Sequence, residues 1–119
     1  MSVPIVLKAE KRDVQKFDWG ELIWFASAKQ GNADGLTLGQ CTIRPGKSNP
    51  RHSHPNCAET LYVLSGRIMH TAAGGDAEMT AGDTITVPRD FVHNARNAGT
   101  GDAVLLIAFS AADRQVKGE

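Results

Sequence analysis

The sequence predicts an all-β protein, and three patterns support that fold class. Turn-forming residues, mostly Gly, Pro, Asn and Asp, recur at short intervals along the chain. Between them lie short runs rich in Val, Ile, Leu, Thr and aromatic residues, which are typical of antiparallel strands. Within such runs the side chains alternate between two faces, so that Glu59, Leu61 and Val63 share one face. We therefore expect an antiparallel barrel or sandwich with little or no helix.

The length of the chain bounds its domain organisation. The sequence has 119 residues, which is close to the usual size of one domain. We expect a single domain over residues 1–119, with the barrel in residues 35–110. Residues 1–34 are expected to supply N-terminal strands or a dimer arm, and residues 111–119 a polar tail with room for a short helical turn.

Individual segments fit this scheme in chain order. Residues 18–25 (DWGELIWF) predict an edge strand or hairpin whose aromatic side chains need covering, and contact with a second copy in a homodimer would cover them. Farther along, Ile68 and His70 share one face of a strand. In the next run Ile85 and Val87 point inward against outward threonines. These segments are the expected walls of the barrel.

Charge and hydropathy exclude several classes of partner. The 13 basic and 13 acidic residues cancel, so no broad positive field would attract nucleic acid or an anionic membrane. The longest apolar stretch, residues 103–112, is too short to span a bilayer, and the N-terminus lacks the pattern of a secretory leader. We therefore expect a cytoplasmic protein with no nucleic-acid or membrane partner.

Four residues have the chemistry and spacing of a metal site. His52 and His54 are two apart, which places both imidazoles on one side of an extended segment. Glu59 lies on the apolar face of its strand, where a carboxylate is costly to bury unless a cation compensates it. His93 comes from a distant segment and completes a set of three histidines and one carboxylate. Such a set suits one divalent ion of Fe, Mn, Co, Ni, Cu or Zn.

The two cysteines, Cys41 and Cys57, form neither a CxxC pair nor a disulfide framework, so we expect reduced thiols. Cys57 lies between His54 and Glu59, where a thiol could modify the metal. We do not count it as a ligand.

The same residues resemble the cupin family. Residues 46–66 match the first cupin motif, GX5HXHX4EX6G, at every fixed position. Residues 82–97 resemble the second motif, GX5PXGX2HX3N, except that Asp90 stands where the family usually has glycine. Aspartate tolerates a left-handed turn better than most residues, so we expect the turn to persist. The resemblance implies a double-stranded β-helix, or jelly-roll barrel, with the four metal-site residues as ligands.

The resemblance does not identify the reaction, because cupins include many unrelated activities. We favour a metal-dependent enzyme acting on a small molecule inside the barrel, and more narrowly a non-haem dioxygenase, because the ligand set resembles that of cupin dioxygenases. Isomerase, epimerase or lyase chemistry would need an acid/base group, for which His70 is the candidate. A neutral core role for His70 is equally compatible with the sequence. A further alternative is a non-catalytic module that binds a sugar or another metabolite.

A group of basic residues surrounds the loop of the first motif. Arg44, Lys47 and Arg51 could receive a carboxylate or phosphate of a substrate at the barrel mouth. A solvated loop is the alternative.

Overall fold

A computed structural model of the chain describes residues 3–119. Within these residues the only helical segment is a single 3-10 turn, Ala9–Lys11. The strands are β1 (Asp13–Phe17), β2 (Gly20–Ala26), β3 (Thr37–Ile43), β4 (His52–Ser53), β5 (Glu59–Ser65), β6 (Arg67–Ala72), β7 (Gly75–Thr80), β8 (Thr84–Val87), β9 (His93–Asn97), β10 (Ala103–Phe109) and β11 (Lys117–Gly118). The prediction of an all-β fold is confirmed.

The strands form two antiparallel sheets. One sheet has the order β1-β2-β3-β10-β5-β8, and the other has the order β11-β4-β9-β6-β7. Sequence neighbours β5 and β6 lie in different sheets, so the chain crosses repeatedly between the two layers, as the predicted jelly roll requires. The inner faces of the sheets enclose a common core.

Alternation along the strands decides which side chains enter that core. In β5, Glu59, Leu61 and Val63 are buried while Thr60 and Tyr62 are exposed, as predicted. The opposite sheet contributes buried side chains of its own, among them Ile68, Met79 and Ala95. Glu59 is thus a carboxylate on an otherwise apolar inner face.

The N-terminal hairpin pairs several of its aromatic side chains within the chain, although Phe17 stays exposed. It begins earlier than residues 18–25, because β1 pairs with β2 along its whole length. Trp24 is buried, and its Nε1 donates a hydrogen bond to Gln15 Oε1 at 2.9 Å. Phe17 stacks on Trp19 with ring centroids 4.8 Å apart. The aromatic rings therefore find partners within the chain, and the homodimer stays a prediction.

The C-terminal segment differs from the polar tail expected over residues 111–119. Its strand β11 pairs with β4, with Gly118 opposite His52 and Lys117 opposite Ser53. The segment contains a turn at Ala112 and Asp113 but no helix. A short strand of Lys and Gly has no strand-forming pattern, so only the open edge of β4 explains why it pairs.

Two tight turns depend on unusual backbone conformations. Asp90 has a φ of 72°, which confirms that aspartate keeps the left-handed turn in place of the family's glycine. Gly66, between β5 and β6, has a φ of 86°, and a Cβ there would lie 2.7 Å from the carbonyl oxygen of Asp102.

Among the residues described, no helix is long and apolar enough to cross a bilayer.

Candidate metal centre

The four predicted ligands come from both sheets and meet between them. His52 opens β4 and lies directly opposite His93, the first residue of β9. His54 follows β4, and Glu59 opens β5 in the facing sheet. Cross-strand partners stand only about 5 Å apart at Cβ, so the pairing of β4 with β9 alone brings two imidazoles together.

The ligand atoms are close enough to share one ion. One donor atom from each of the four side chains lies within 4.8 Å of the other three. Glu59 Oε1 is 3.3 Å from His54 Nε2 and 3.1 Å from His93 Nε2. His54, Glu59 and His93 are buried, and His52 is partly exposed.

Hydrogen bonds at Nδ1 orient two of the imidazoles so that their Nε2 atoms face the candidate metal position. Nδ1 of His52 donates to the carbonyl of Pro50, and Nδ1 of His54 donates to the carbonyl of Gln115, each at 2.8 Å. A carbonyl oxygen only accepts, so Nδ1 carries the proton in both neutral rings. Each Nε2 is then left with a free lone pair, which is the form that binds a metal.

The centre contains buried polar atoms that nothing in the described chain satisfies. His54 Nε2, Glu59 Oε1 and His93 Nε2 are buried without a hydrogen-bond partner. The Nε2 lone pairs of neutral His54 and His93 lie little more than 3 Å from the carboxylate oxygen of Glu59. They repel that oxygen unless a cation or a proton lies between them. A divalent metal removes this conflict, and the His52, His54, Glu59 and His93 set can hold one such ion.

Burial and neighbouring charges shift the ionisation of these groups. Burial lowers the pKa of His52 to about 4, although its hydrogen bond to Pro50 opposes the shift. Burial tends to raise the pKa of Glu59, but without a metal, hydrogen bonds from His54 and His93, each with a proton between Nε2 and the carboxylate, outweigh it and hold the pKa at about 2. Both groups therefore keep their metal-binding forms well below neutral pH.

His70 contacts one ligand directly. It is buried on β6, and its Nε2 lies 2.9 Å from Nδ1 of His93. If His93 binds a metal through Nε2, its Nδ1 carries the proton and donates a hydrogen bond to His70 Nε2. The ring of His70 also lines the internal cavity. Its predicted catalytic role stays a prediction.

A cavity of about 360 Å³ opens beside the ligands. All four ligands line it, and much of the remaining wall is apolar, with Leu61, Leu105 and Ile107 among the lining residues. This volume is at the small end of the range for ligand pockets in proteins. A small organic molecule can therefore lie next to a bound ion.

Sequence reasoning missed three contributors to the site. Phe109 packs against the His54 ring at a centroid distance of 4.9 Å. Gln115 supplies its backbone carbonyl to His54, and Arg114 lines the cavity. The last two lie in the segment expected to be a tail. A backbone carbonyl leaves no trace in a sequence, and a lone arginine near a chain end resembles a surface residue.

Neither cysteine joins the group of potential ligands, and both are free and buried. Cys41 lines the cavity, where burial raises its pKa to about 12. A thiol with such a pKa is protonated at neutral pH and is a poor nucleophile.

Of the three basic residues predicted near the barrel mouth, Arg51 reaches the cavity. Its side chain is already engaged. Nε pairs with Glu119 at 3.1 Å, and Nη1 donates to Thr71 Oγ1 at 3.0 Å.

Comparison with known proteins identifies related sequences. A family model described as a cupin domain matches residues 39–109, which is more than half of the chain. Germin-like protein 3-8 from Oryza sativa subsp. japonica is 32% identical over 85 residues, which cover 67% of this chain and 38% of that protein. A probable germin-like protein, subfamily 2 member 5, from Arabidopsis thaliana is also 32% identical over 85 residues, with 67% and 40% coverage. The chain thus spans about two fifths of the length of these relatives.

Solved structures with the same fold include oxalate decarboxylases. An S161A mutant of the Bacillus subtilis enzyme superposes with a TM-score of 0.82 at 22% identity, covering 89% of this chain and 29% of that one. The Lactobacillus farciminis enzyme in complex with formate gives a TM-score of 0.83 at 19% identity, with 92% and 34% coverage. One structure of the Bacillus subtilis enzyme concerns its Mn(II) centres. At these identities the likeness establishes the fold.

Proposed function

The chain belongs to the cupin family, and we propose that it is a metal-dependent enzyme that converts a small organic molecule inside the barrel. One observation carries this proposal. Three buried donor atoms without partners, on His54, Glu59 and His93, line a cavity whose wall is otherwise largely apolar. A metal that only fastened the fold together would not need an adjoining space for a ligand.

Each group of residues at the site would have its own role in the proposed enzyme. His52, His54, Glu59 and His93 would hold the ion, which would supply Lewis-acid chemistry and, as Fe(II) or Mn(II), redox chemistry. The apolar wall would exclude water around the bound molecule and strengthen its electrostatic contacts. His70 would keep the ring of His93 in its ligating orientation.

Among reaction classes we favour oxidation, and dioxygenation in particular. Isomerisation, epimerisation and elimination need a group that accepts or donates a proton next to the substrate. His70 is the candidate from the sequence, but its Nε2 is engaged with His93. An oxidative reaction places less demand on such a group, because the metal would do most of the chemistry. The Mn(II) centres of the structurally similar decarboxylase make Mn(II) and Fe(II) the first ions to test.

The test is a reconstitution experiment on the full chain. Protein purified without chelators is loaded anaerobically with Fe(II) or Mn(II) and mixed with small thiols, diketones, hydroxy acids and sugars. An oxygen electrode records oxygen uptake, and mass spectrometry detects products. Oxygen uptake coupled to product supports a dioxygenase. Product without oxygen uptake points to an isomerase or lyase, and binding without product contradicts the enzyme in favour of a binding module.

A matched pair of variants tests the metal assignment in the same assay. Glu59→Gln removes the only carboxylate of the centre, and we expect metal affinity and turnover to fall at least about tenfold. Glu78→Gln makes the same chemical change on an exposed position of β7 and should leave both unchanged. If Glu59→Gln binds the metal as tightly as the natural protein, the carboxylate is not a ligand.

A further inference from the structure

Arg114 is an unusual residue for the wall of a small cavity. Its guanidinium carbon lies 4.5 Å from the centre of the Trp24 ring and 5.1 Å from that of Phe109. The side chain lines the same cavity as the metal ligands. The ring of Phe109 touches both Arg114 and His54, so the guanidinium and the metal centre adjoin the same aromatic side chain.

The charge of Arg114 has no anionic partner within the described part of the chain. No Asp or Glu oxygen there forms a salt bridge with it. Its Nε is buried and makes no hydrogen bond. Burial lowers the pKa of Arg114, and the charge of Glu59 opposes this shift from beyond ion-pair distance. Arg114 is partly buried, and the N–H donor that is taken out of water, Nε, is costly to leave unpaired.

The two aromatic rings explain the position of the guanidinium but not its unused donors. The contacts with Trp24 and Phe109 hold the planar guanidinium beside the two rings and contribute cation–π attraction. The N–H donors lie in the plane and remain available along its edge. An arginine held in this way is preorganised for a planar, two-oxygen acceptor such as a carboxylate.

Of the two arginines that line the cavity, Arg114 is the one without an anionic partner in the described part of the chain. Arg51 also lines the cavity, but Glu119 and Thr71 already accept hydrogen bonds from it. Glu59 is the other charged residue of the cavity wall, and it belongs to the metal centre. Arg114 is therefore the cationic side chain that a ligand in the cavity could pair with.

We propose that Arg114 binds a carboxylate of the substrate, and that the substrate class is small organic dicarboxylates. One carboxylate would pair with the guanidinium while oxygen atoms at the other end of the molecule reach the metal centre. This assignment rests on the proposed function, since it supposes that the molecule bound beside the metal is the substrate. The cavity of about 360 Å³ has room for such a molecule.

The test measures binding to the Mn(II)-loaded full chain by titration calorimetry. The probes are malonate, succinate and glutarate, each paired with the analogue in which one carboxylate is replaced by a primary amide. We expect the natural protein to bind at least one dicarboxylate about tenfold or more tightly than its amide analogue. Arg114→Gln should lose that preference, with affinity for the dicarboxylate falling about 10- to 100-fold and affinity for the amide analogue changing little.

Two further variants keep the result interpretable. Arg96→Gln removes an exposed arginine from the outer face of β9 and should bind every probe like the natural protein. Arg114→Lys retains the charge and most of the stem but loses the two-donor edge, so we expect an intermediate loss. It also serves as the decisive variant if Arg114→Gln fails to fold or to hold Mn(II).

Two results would overturn the assignment. One is a natural protein with no preference for dicarboxylates over their amides, and the other is an Arg114 variant with unchanged dicarboxylate affinity. Turnover of a neutral molecule together with either result would leave the proposed enzyme standing. Arg114-dependent binding of a dicarboxylate without any turnover would instead contradict the proposed enzyme and retain the anion site.

Discussion

The partner of each Nδ1 atom decides what an imidazole in this centre can do. Backbone carbonyls hold His52 and His54 in the tautomer that frees Nε2. His93 differs, since its Nδ1 faces another imidazole, His70, which can either donate or accept. The orientation of His93 therefore depends on a side chain that can be replaced, whereas the other two depend on the backbone.

This dependence predicts the behaviour of His70 variants. His70→Leu removes the acceptor for His93 Nδ1–H, and we expect the affinity for Mn(II) to fall about 10- to 100-fold. His70→Gln offers an amide oxygen in its place and should restore much of that affinity. Competition with a fluorescent chelator measures affinity, and the electron paramagnetic resonance spectrum of Mn(II) reports changes in ligand geometry that a purely structural role would not cause.

The same pair of variants separates the two roles of His70. A catalytic acid or base would make His70→Gln bind metal normally and lose turnover. A positioning residue would make metal affinity and turnover change together. Unchanged affinity and spectrum in His70→Leu would contradict the positioning role.

The sequence predicts which four side chains come together at the candidate centre, but it predicts the groups around them poorly. The spacing of His52 and His54 and the inward parity of Glu59 follow from strand geometry, so the sequence alone identifies those residues. It does not identify Arg114, whose importance depends on Trp24 and Phe109. Trp24 is distant in the chain, and no local pattern relates it to the arginine. The acceptor for His54 is a main-chain carbonyl, which no residue type encodes.

Among the elements, the loop after β9 depends on one buried amide. Asn97, the last residue of β9, donates from Nδ2 to the carbonyls of Ile43 and Gly101, both at 2.8 Å. Its Oδ1 accepts from the amide of Gly99, also at 2.8 Å. One side chain thus joins the end of β9 to β3 in the other sheet and to the following loop.

We expect Asn97→Ala to destabilise the fold by about 2–4 kcal/mol, because it leaves these main-chain groups without their partner. Urea denaturation followed by circular dichroism measures the loss. Arg96→Ala, at the preceding exposed position, should change stability by no more than about 0.5 kcal/mol. Equal stability of the Asn97→Ala variant and the natural protein would show that water replaces the amide.

Strands are predicted best from the sequence where one face is buried and the other is exposed. The alternation in β5 and β8 gives their inward residues correctly, apart from partial exposure of Ile85. The pattern fails for β1, most of whose residues are exposed on both faces, and for β11, which has two exposed residues. These strands form because a neighbouring edge is open, which is a property of the assembled sheet.

For the whole molecule, enclosing histidines between two sheets makes stability depend on pH. Burial lowers the pKa of both His52 and His70 to about 4, and the charge of His93 contributes further to the shift at His70. In the unfolded chain the same groups have a pKa of about 6.5. Between these values the unfolded chain binds protons that the folded chain does not, so the free energy of unfolding decreases as the pH falls.

We therefore expect the metal-free protein to lose stability on acidification from pH 7.5 to pH 5, by at least about 1 kcal/mol. Glu59 extends the loss below pH 4.5, because its folded pKa of about 2 means that only the unfolded chain is protonated there. Urea midpoints of metal-free protein across this range measure the slope. His70→Gln cannot titrate at that position and should give a shallower curve, while a flat profile in the natural protein would mean that water reaches the histidines.

Saturating Mn(II) should raise every urea midpoint and shift the acid limb of the profile to lower pH, because an ion that binds only the folded barrel competes with the same protons.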